Sequence, residues 1–402
     1  MTTETINTAN EAATEGQITS YEFVSRNWRV HPPESADNTD PEFRKLVAER
    51  IEYLPYSHRN FFHELQPSDR DVPENLRFRY RVFLPPKQGA DRRFDRATVL
   101  LHGLNEKSWD KYLPWARRLT QDTEAPVVLF PIAFHMDRAP AAWSNAREMM
   151  GVTTERRRLF PDAVATSFMN AALSHRVHFA PHRFLTSGLQ SYFDVTELVR
   201  MIRIGDHELF REGTRVDFFG YSIGATLTEL LLFADPAGLY EDSRAFLFCG
   251  GSVLDRANPV SKAIMDDRAH AGLLAFFDRL VSNVKSALPR GVELLKDGLW
   301  EVEVAKSLLF KDRLAALREK LARAASGRIA ALGLAKDTVF PPEGLVESWT
   351  DANGALLVDV ETADPGYSYT HESPFPADTA HTDAVSAFFD ELFSKAAAHL
   401  RA

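Results

Sequence analysis

Residues 216–233 read VDFFGYSIGATLTELLLF. An apolar run passes through one serine set between two glycines and continues, with no linker, as a helix-like stretch. A strand that turns directly into a helix leaves no room for side chains at the crossing. Gly220 and Gly224 therefore allow close approach, and Ser222 is held on a sharp, strained turn at the carboxyl end of a strand. Such a turn projects its hydroxyl from the sheet edge, with the first turn of the following helix behind it. This constrains the fold strongly, because the strand must be buried on both faces and must end where a ligand can reach it.

The rest of the chain repeats that rhythm. Short apolar runs at 97–103 (ATVLLHG), 125–134, 215–222, 245–253, 328–336 and 355–363 read as strands, and 76–84 (LRFRYRVFL) alternates like a half-exposed one. Between them, 111–121, 187–210 and 223–234 suit helices, and 378–400 suits a terminal amphipathic helix. Alternating strands and helices imply a mainly parallel central sheet flanked by helices, an α/β fold. Residues 255–325 break the pattern. Leu273, Phe277, Leu280 and Val284, and then Phe310, Leu314, Leu317 and Leu321, recur at helical spacing, which reads as a helical insertion.

A serine hydroxyl becomes a nucleophile only beside a base that an acid orients. In a sheet of this kind the three follow in the chain order serine, acid, histidine. His371 lies in the loop after the last strand and is the first choice for the base, with His381 second. His270 falls in the insertion and His399 at the end of the terminal helix. Asp337, in GLAKDTVFPP after the penultimate strand, is the first choice for the acid. Glu343 lies beyond two prolines, Asp351 is a further candidate, and Asp359 and Glu361 fall within the last strand. Negative charge on a carbonyl oxygen needs backbone N–H groups aimed at it. Ile223, after the serine, supplies one, and Leu104, after His102-Gly103, supplies the other. Gly103 lets the backbone come close, and His102 reads as a structural loop histidine.

HGLNEKSW, GYSIG, GLAKDTVFPP and YSYTHESPF, in this order, resemble the motifs of α/β-hydrolases across residues ~76–402. The stretch LHGLNEKSWDKYLPWARRL…VVLFPIAFHMDRAPAAW is similar to that of a bacterial α/β-hydrolase family whose members are largely uncharacterised. The resemblance implies an α/β-hydrolase fold with a helical cap, Ser222 as nucleophile, Asp337 as acid and His371 as base. It implies no substrate; the leading reading of the residues is cleavage of a carboxylic ester or thioester through an acyl-enzyme, with no metal and no organic cofactor. The alternatives are a peptidase or amidase using the same residues, and a non-catalytic binding protein on the same fold. The segment 135–215 is longer than is usual between two core strands and is expected to build part of the substrate pocket.

The expected layout is a disordered tail (1–18), an N-terminal extension (19–75), a first core part (76–254), a cap (255–325) and a second core part (326–402). A net charge of −9 argues against a nucleic-acid partner. The basic run Arg156-Arg157-Arg158 reads as solvated surface. The single cysteine, Cys249, reads as a small buried apolar residue. His175, His178 and His182 stand at ligand-like spacing, but Arg176 and Arg183 beside them disfavour a cation. The polar N-terminus lacks the pattern of a signal peptide, and no apolar run approaches the ~20 residues of a membrane span. The expectation is a cytoplasmic protein acting on a small-molecule ester with an apolar part.

Overall fold

The computed structural model describes residues 4–5, 17–33, 68–86, 93–283, 298–377 and 381–402. Among the described residues one sheet carries nine strands: β1 (Glu4–Thr5), β2 (Gln17–Val24), β3 (Arg77–Leu84), β4 (Phe94–Leu101), β5 (Val127–Leu129), β6 (Phe210–Tyr221), β7 (Ala245–Phe248), β8 (Ile329–Leu334) and β9 (Asp359–Ala363). Their spatial order is β1-β2-β3-β5-β4-β6-β7-β8-β9. Strands β5, β4, β6, β7, β8 and β9 run parallel to their neighbours in that row. β3 runs antiparallel to both β2 and β5. Setting aside two-residue β1, this is the strand order of an α/β-hydrolase, with the serine turn leaving β6, the fifth of the eight.

Apolar residues in the central strands pack both ways. In β6, Phe218 faces one core cluster and Phe219 the other. Helices α1 (Leu113–Thr123) and α10 (Thr382–Arg401) cover the second face, where Trp115, Phe219, Phe248 and Phe393 meet. Helices α4 (His182–Arg203) and α5 (Ile223–Ala234) cover the first. Helix α5 has the bounds its pattern gave. The apolar run at 125–134 yields only the three residues of β5, because the chain beyond turns away as loop. The run at 355–363 yields β9, which is mostly exposed at the sheet edge. β6 starts at Phe210, so the helix expected over 187–210 ends at Arg203 and begins earlier, at His182.

Most of the tail expected over 1–18 and of the extension expected over 19–75 lies outside the described residues; the described part contributes strands. Residues 17 and 18 begin β2, whose full length pairs with β3, and Glu4 and Thr5 pair with Ser20 and Thr19. The 1–18 tail and the 19–75 extension thus supply two strands to the sheet. Ser25 and Asn27 each donate to Asp194 Oδ1 on α4 at 2.7 Å, which ties this part to the core.

Two insertions add helices beyond those that flank the sheet. Between β5 and β6, ahead of α4, come α2 (Ala146–Leu159) and α3 (Ala171–Phe179). Between β7 and β8 come α6 (Asp267–Val281), α7 (Trp300–Ser307) and α8 (Ala315–Ala324). Leu273, Phe277 and Leu280 are buried on α6 as their spacing requires; Val284 lies outside the described residues. The second stripe is interrupted. Phe310 precedes the helix, and Leu314 is its exposed cap with a left-handed φ of 54°. Arg156 also departs from expectation. It is fully buried and holds Asp266 with two hydrogen bonds, one of them 2.7 Å from Nη2 to Oδ1. Arg157 and Arg158 are exposed.

Candidate active site

Three loops at the carboxyl edge of the sheet bring Ser222, Asp337 and His371 together. Ser222 caps α5 with φ 57° and ψ −123°, a conformation that L-residues avoid. The surroundings enforce it. A Cβ on Gly220 would stand 2.7 Å from Ala225 Cα, and one on Gly224 would run into the Leu101 carbonyl at the end of β4. Gly250, which sequence reasoning passed over, lies against the Ser222 carbonyl in the same way.

The Ser222 hydroxyl lies 2.8 Å from His371 Nε2, and His371 Nδ1 lies 2.8 Å from Asp337 Oδ2. The other Asp337 oxygen accepts from the backbone N–H groups of Val339 (2.8 Å) and Phe340 (2.9 Å). Both carboxylate oxygens are therefore occupied, which fixes the group and places a proton on His371 Nδ1. Nε2 is then the free lone pair facing the serine. All three side chains are buried, so water does not compete for these bonds. Cys249 is buried as well; burial, then the charge of Asp337, push its thiol pKa well above the usual value. Cys249 is thus buried as expected, but as a polar neighbour of the acid.

The other candidates lie elsewhere. His381 is exposed at the cap of α10, and His399 Nε2 faces the Arg328 carbonyl at 3.1 Å. Glu343 is exposed on α9 (Pro342–Trp349). Asp351 pairs with Arg323, and Glu361 with Lys395 at 2.6 Å. Asp359 is exposed on β9. His270, by contrast, lines the chamber that opens onto Ser222.

Leu104 and Ile223 both line that chamber, on either side of the serine. The Gly103 amide donates to Tyr112 Oη at 2.9 Å and is thereby occupied. A Cβ on Gly103 would meet the Tyr221 ring at 3.3 Å. His102 accepts from the Ile132 amide through Nε2 (2.9 Å) and donates from Nδ1 to the Gly103 carbonyl (2.8 Å). Burial lowers its pKa well below the usual value, so it is a neutral brace for two loops.

The remaining residues of HGLNEKSWDKY brace the same loop. Glu106 accepts from Tyr112 Oη at 2.9 Å and pairs with Lys111. Lys111 donates to the Glu372 carbonyl at 3.1 Å, and Tyr221 Oη donates to the His371 carbonyl. Asn105, held at φ 63°, donates to the carbonyls of Met169 (2.9 Å) and Ala263 (2.6 Å). It therefore anchors both insertions to the loop beside Leu104. Sequence reasoning quoted these residues as distinctive but gave them no part; their partners lie as far as 261 residues away.

His175 and His182 are buried, with Arg176 paired to Asp69 and Arg183 3.6 Å from it. Among the described residues no group of three histidine, cysteine or acidic side chains could hold a metal ion. Nor is any described helix long and apolar enough to cross a membrane.

Among solved structures, the chain is similar to carboxyl esterase 2 of the fungus Tuber melanosporum at 12% identity and a TM-score of 0.39, covering 81% of this chain and 82% of that one. It is similar to a peroxisomal alpha-beta-hydrolase of Saccharomyces cerevisiae at 11% and 0.41, covering 95% and 91%. A thermostable esterase of Pseudomonas putida gives 12% and 0.40, covering 81% and 80%. It is the strand order and the serine turn, within the chain itself, that define the architecture. No curated protein matches the sequence. Over residues 4–401 the chain matches the family described as "Family of unknown function (DUF6051)", and it belongs to that family.

Proposed function

We propose that the protein is a serine hydrolase that cleaves a carboxylic ester or thioester through an acyl-enzyme. The observation that carries this reading is the continuous bond path from Ser222 Oγ to His371 and on to Asp337, at 2.8 Å for each step. Ser222 attacks the carbonyl carbon while His371 Nε2 takes its proton. Asp337 keeps the imidazole in the required tautomer and stabilises the imidazolium that forms. The Leu104 and Ile223 amides receive the oxyanion, aided by the positive end of α5. His371 then passes its proton to the leaving oxygen or sulfur, which departs. A water, deprotonated by the same imidazole, releases the acid.

A panel of 4-nitrophenyl esters and acyl thioesters tests this with purified protein. Ser222→Ala and His371→Ala should each lower kcat/KM by about 10³-fold or more. A Ser222→Ala protein that keeps wild-type turnover would refute the reading. A dead His381→Ala beside an active His371→Ala would refute the choice of base.

A further inference from the structure

Core and cap enclose two adjoining chambers. The first opens onto Ser222 and takes part of its wall from Val339 and Phe340, in the loop of Asp337. The second lies beyond it, walled by α5 residues such as Thr226, Leu227 and Leu230, by Gly188 of α4 and by Leu308. Leu104, Phe184, Ile223, Leu254 and Phe277 line both. The two residues assigned to the oxyanion thus stand at the junction, and the rings of Phe184 and Phe277 meet there edge to face, 5.5 Å apart.

Resting on the hydrolase reading, the geometry decides which half of an ester goes where. The leaving group takes its proton from His371, so it must lie beside that ring. Phe340 is 5.7 Å from it and belongs to the first chamber only. Among the described residues lining the second chamber, none comes from the Asp337 or His371 loop. The acyl substituent leaves the carbonyl carbon away from the leaving group, past the oxyanion amides. We propose that the second chamber receives the acyl chain, that this chain is aliphatic and uncharged, and that Gly188 sets its length.

The lining supports the chemistry. Among its described lining residues there is no acidic side chain, lysine or arginine. Its one histidine, His135, has its pKa lowered to about 4 by burial, and its Nδ1 donates to the Ala133 carbonyl at 2.8 Å. That residue is neutral at neutral pH and its proton is already committed. A charged tail would be desolvated there without a partner.

Gly188 carries the argument about length. It sits inside the 22-residue helix α4, where glycine costs about 0.5–1 kcal/mol relative to alanine. Nothing about the backbone requires it, since a Cβ there would meet no atom of the described residues within 4 Å. What glycine preserves is open volume on the chamber wall. On α2, Gly151 is equally unobstructed but exposed to solvent, so the same residue there leaves no enclosed space.

Gly188→Phe would fill the chamber from a helix that gains propensity by the change. Ala305→Phe would fill it from α7, so the inference does not depend on one variant folding. Both are to be assayed with 4-nitrophenyl esters from acetyl to dodecanoyl, and with acetate esters of lengthening alcohols. Expected is a fall of about tenfold or more in kcat/KM for octanoyl and longer acyl groups, with acetyl changed by less than about twofold. The alcohol series should be unaffected. Equal losses for acetyl and octanoyl esters, or a loss graded by alcohol length, would overturn the acyl assignment and leave the hydrolase reading standing. If wild type cleaves no ester or thioester in either series, the hydrolase reading falls and this inference with it.

Discussion

In β6, Phe218 and Phe219 turn to opposite faces of the sheet and meet other apolar side chains. In the cap, Arg156 of α2 turns inward and meets Asp266, with both side chains fully buried. The two regions are held by partly different means. Strands and flanking helices of the core bury aliphatic and aromatic surface on both faces, a non-directional attraction that tolerates many sequences. The cap also buries apolar surface, Leu273, Phe277 and Leu280 among it, but it is joined to itself and to the core by directional contacts as well. Thr166 and Asn170, from the first insertion, donate to Asp266 and to the Ser261 carbonyl of the second at 2.8 Å. Arg138, in the first insertion, lies 2.7 Å from Asp194 on α4, with neither exposed. Bonds of this kind fix the two insertions against each other in one arrangement.

If the core performs the chemistry, the largest effects follow from its three polar residues. The double change Ser222→Ala/His371→Ala should cost hardly more than either alone, because the groups act as a unit, and Asp337→Asn should also fall by about 10²-fold or more. Ser222→Ala, which strands no buried charge, should leave the melting temperature nearly unchanged. Additive losses, read from kcat/KM, would mean that the serine and the histidine act separately.

Breaking the cap should do the reverse. Asp266→Ala strands a buried guanidinium and should reduce stability by about 3–5 kcal/mol, whereas Arg156→Met with Asp266→Leu should recover most of it. Urea denaturation of the single and double variants measures this. An Asp266→Ala protein as stable as wild type would show that the cap does not depend on its ion pairs.

Acid should act on both regions through their buried histidines. Burial lowers His178 and His182 to about 3 and His207 to about 4. Each takes up a proton more readily when unfolded, near pH 6.5, than when folded. The unfolded state therefore binds more protons between the two values, and stability is present above pH 6.5 and is lost as pH falls toward 4. For each histidine that stays neutral the loss by pH 5 is about 2 kcal/mol. Melting curves from pH 8 to pH 4 should decline through this window; a flat profile would contradict the burial argument.

Asn105 joins the two regions, and its effect should be smaller. Asn105→Ala removes two carbonyl contacts beside Leu104 and should lower kcat about tenfold, with a loss of stability near 1 kcal/mol. A change confined to KM would place Asn105 with the cap alone.

The same contrast explains how much could be read from the sequence. That Ser222, Asp337 and His371 come together was legible because each follows a strand, and strand order fixes where each loop emerges. Helix α5 was legible to the residue because its apolar run abuts the serine turn. Strand β2 was not, since its side chains alternate only partly and its pairing partner lies beyond residue 76. Arg156 looked like surface because its partner is 110 positions away. Leu314 fell at helical spacing, yet spacing does not reveal that the chain turns left-handed there. Asn105, Glu106 and Tyr112 stood in a conspicuous motif, but only folding shows that they brace the loop beside the serine.

The most direct measurement is the reaction of the folded protein with an alkyl fluorophosphonate, followed by peptide mapping of the adduct. A nucleophilic serine activated by His371 should give one adduct per chain, on Ser222, and His371→Ala should slow its formation by about 10²-fold or more. An unmodified Ser222 in a folded protein, or an adduct that forms as fast without His371, would contradict the assignment of the chemistry to this core.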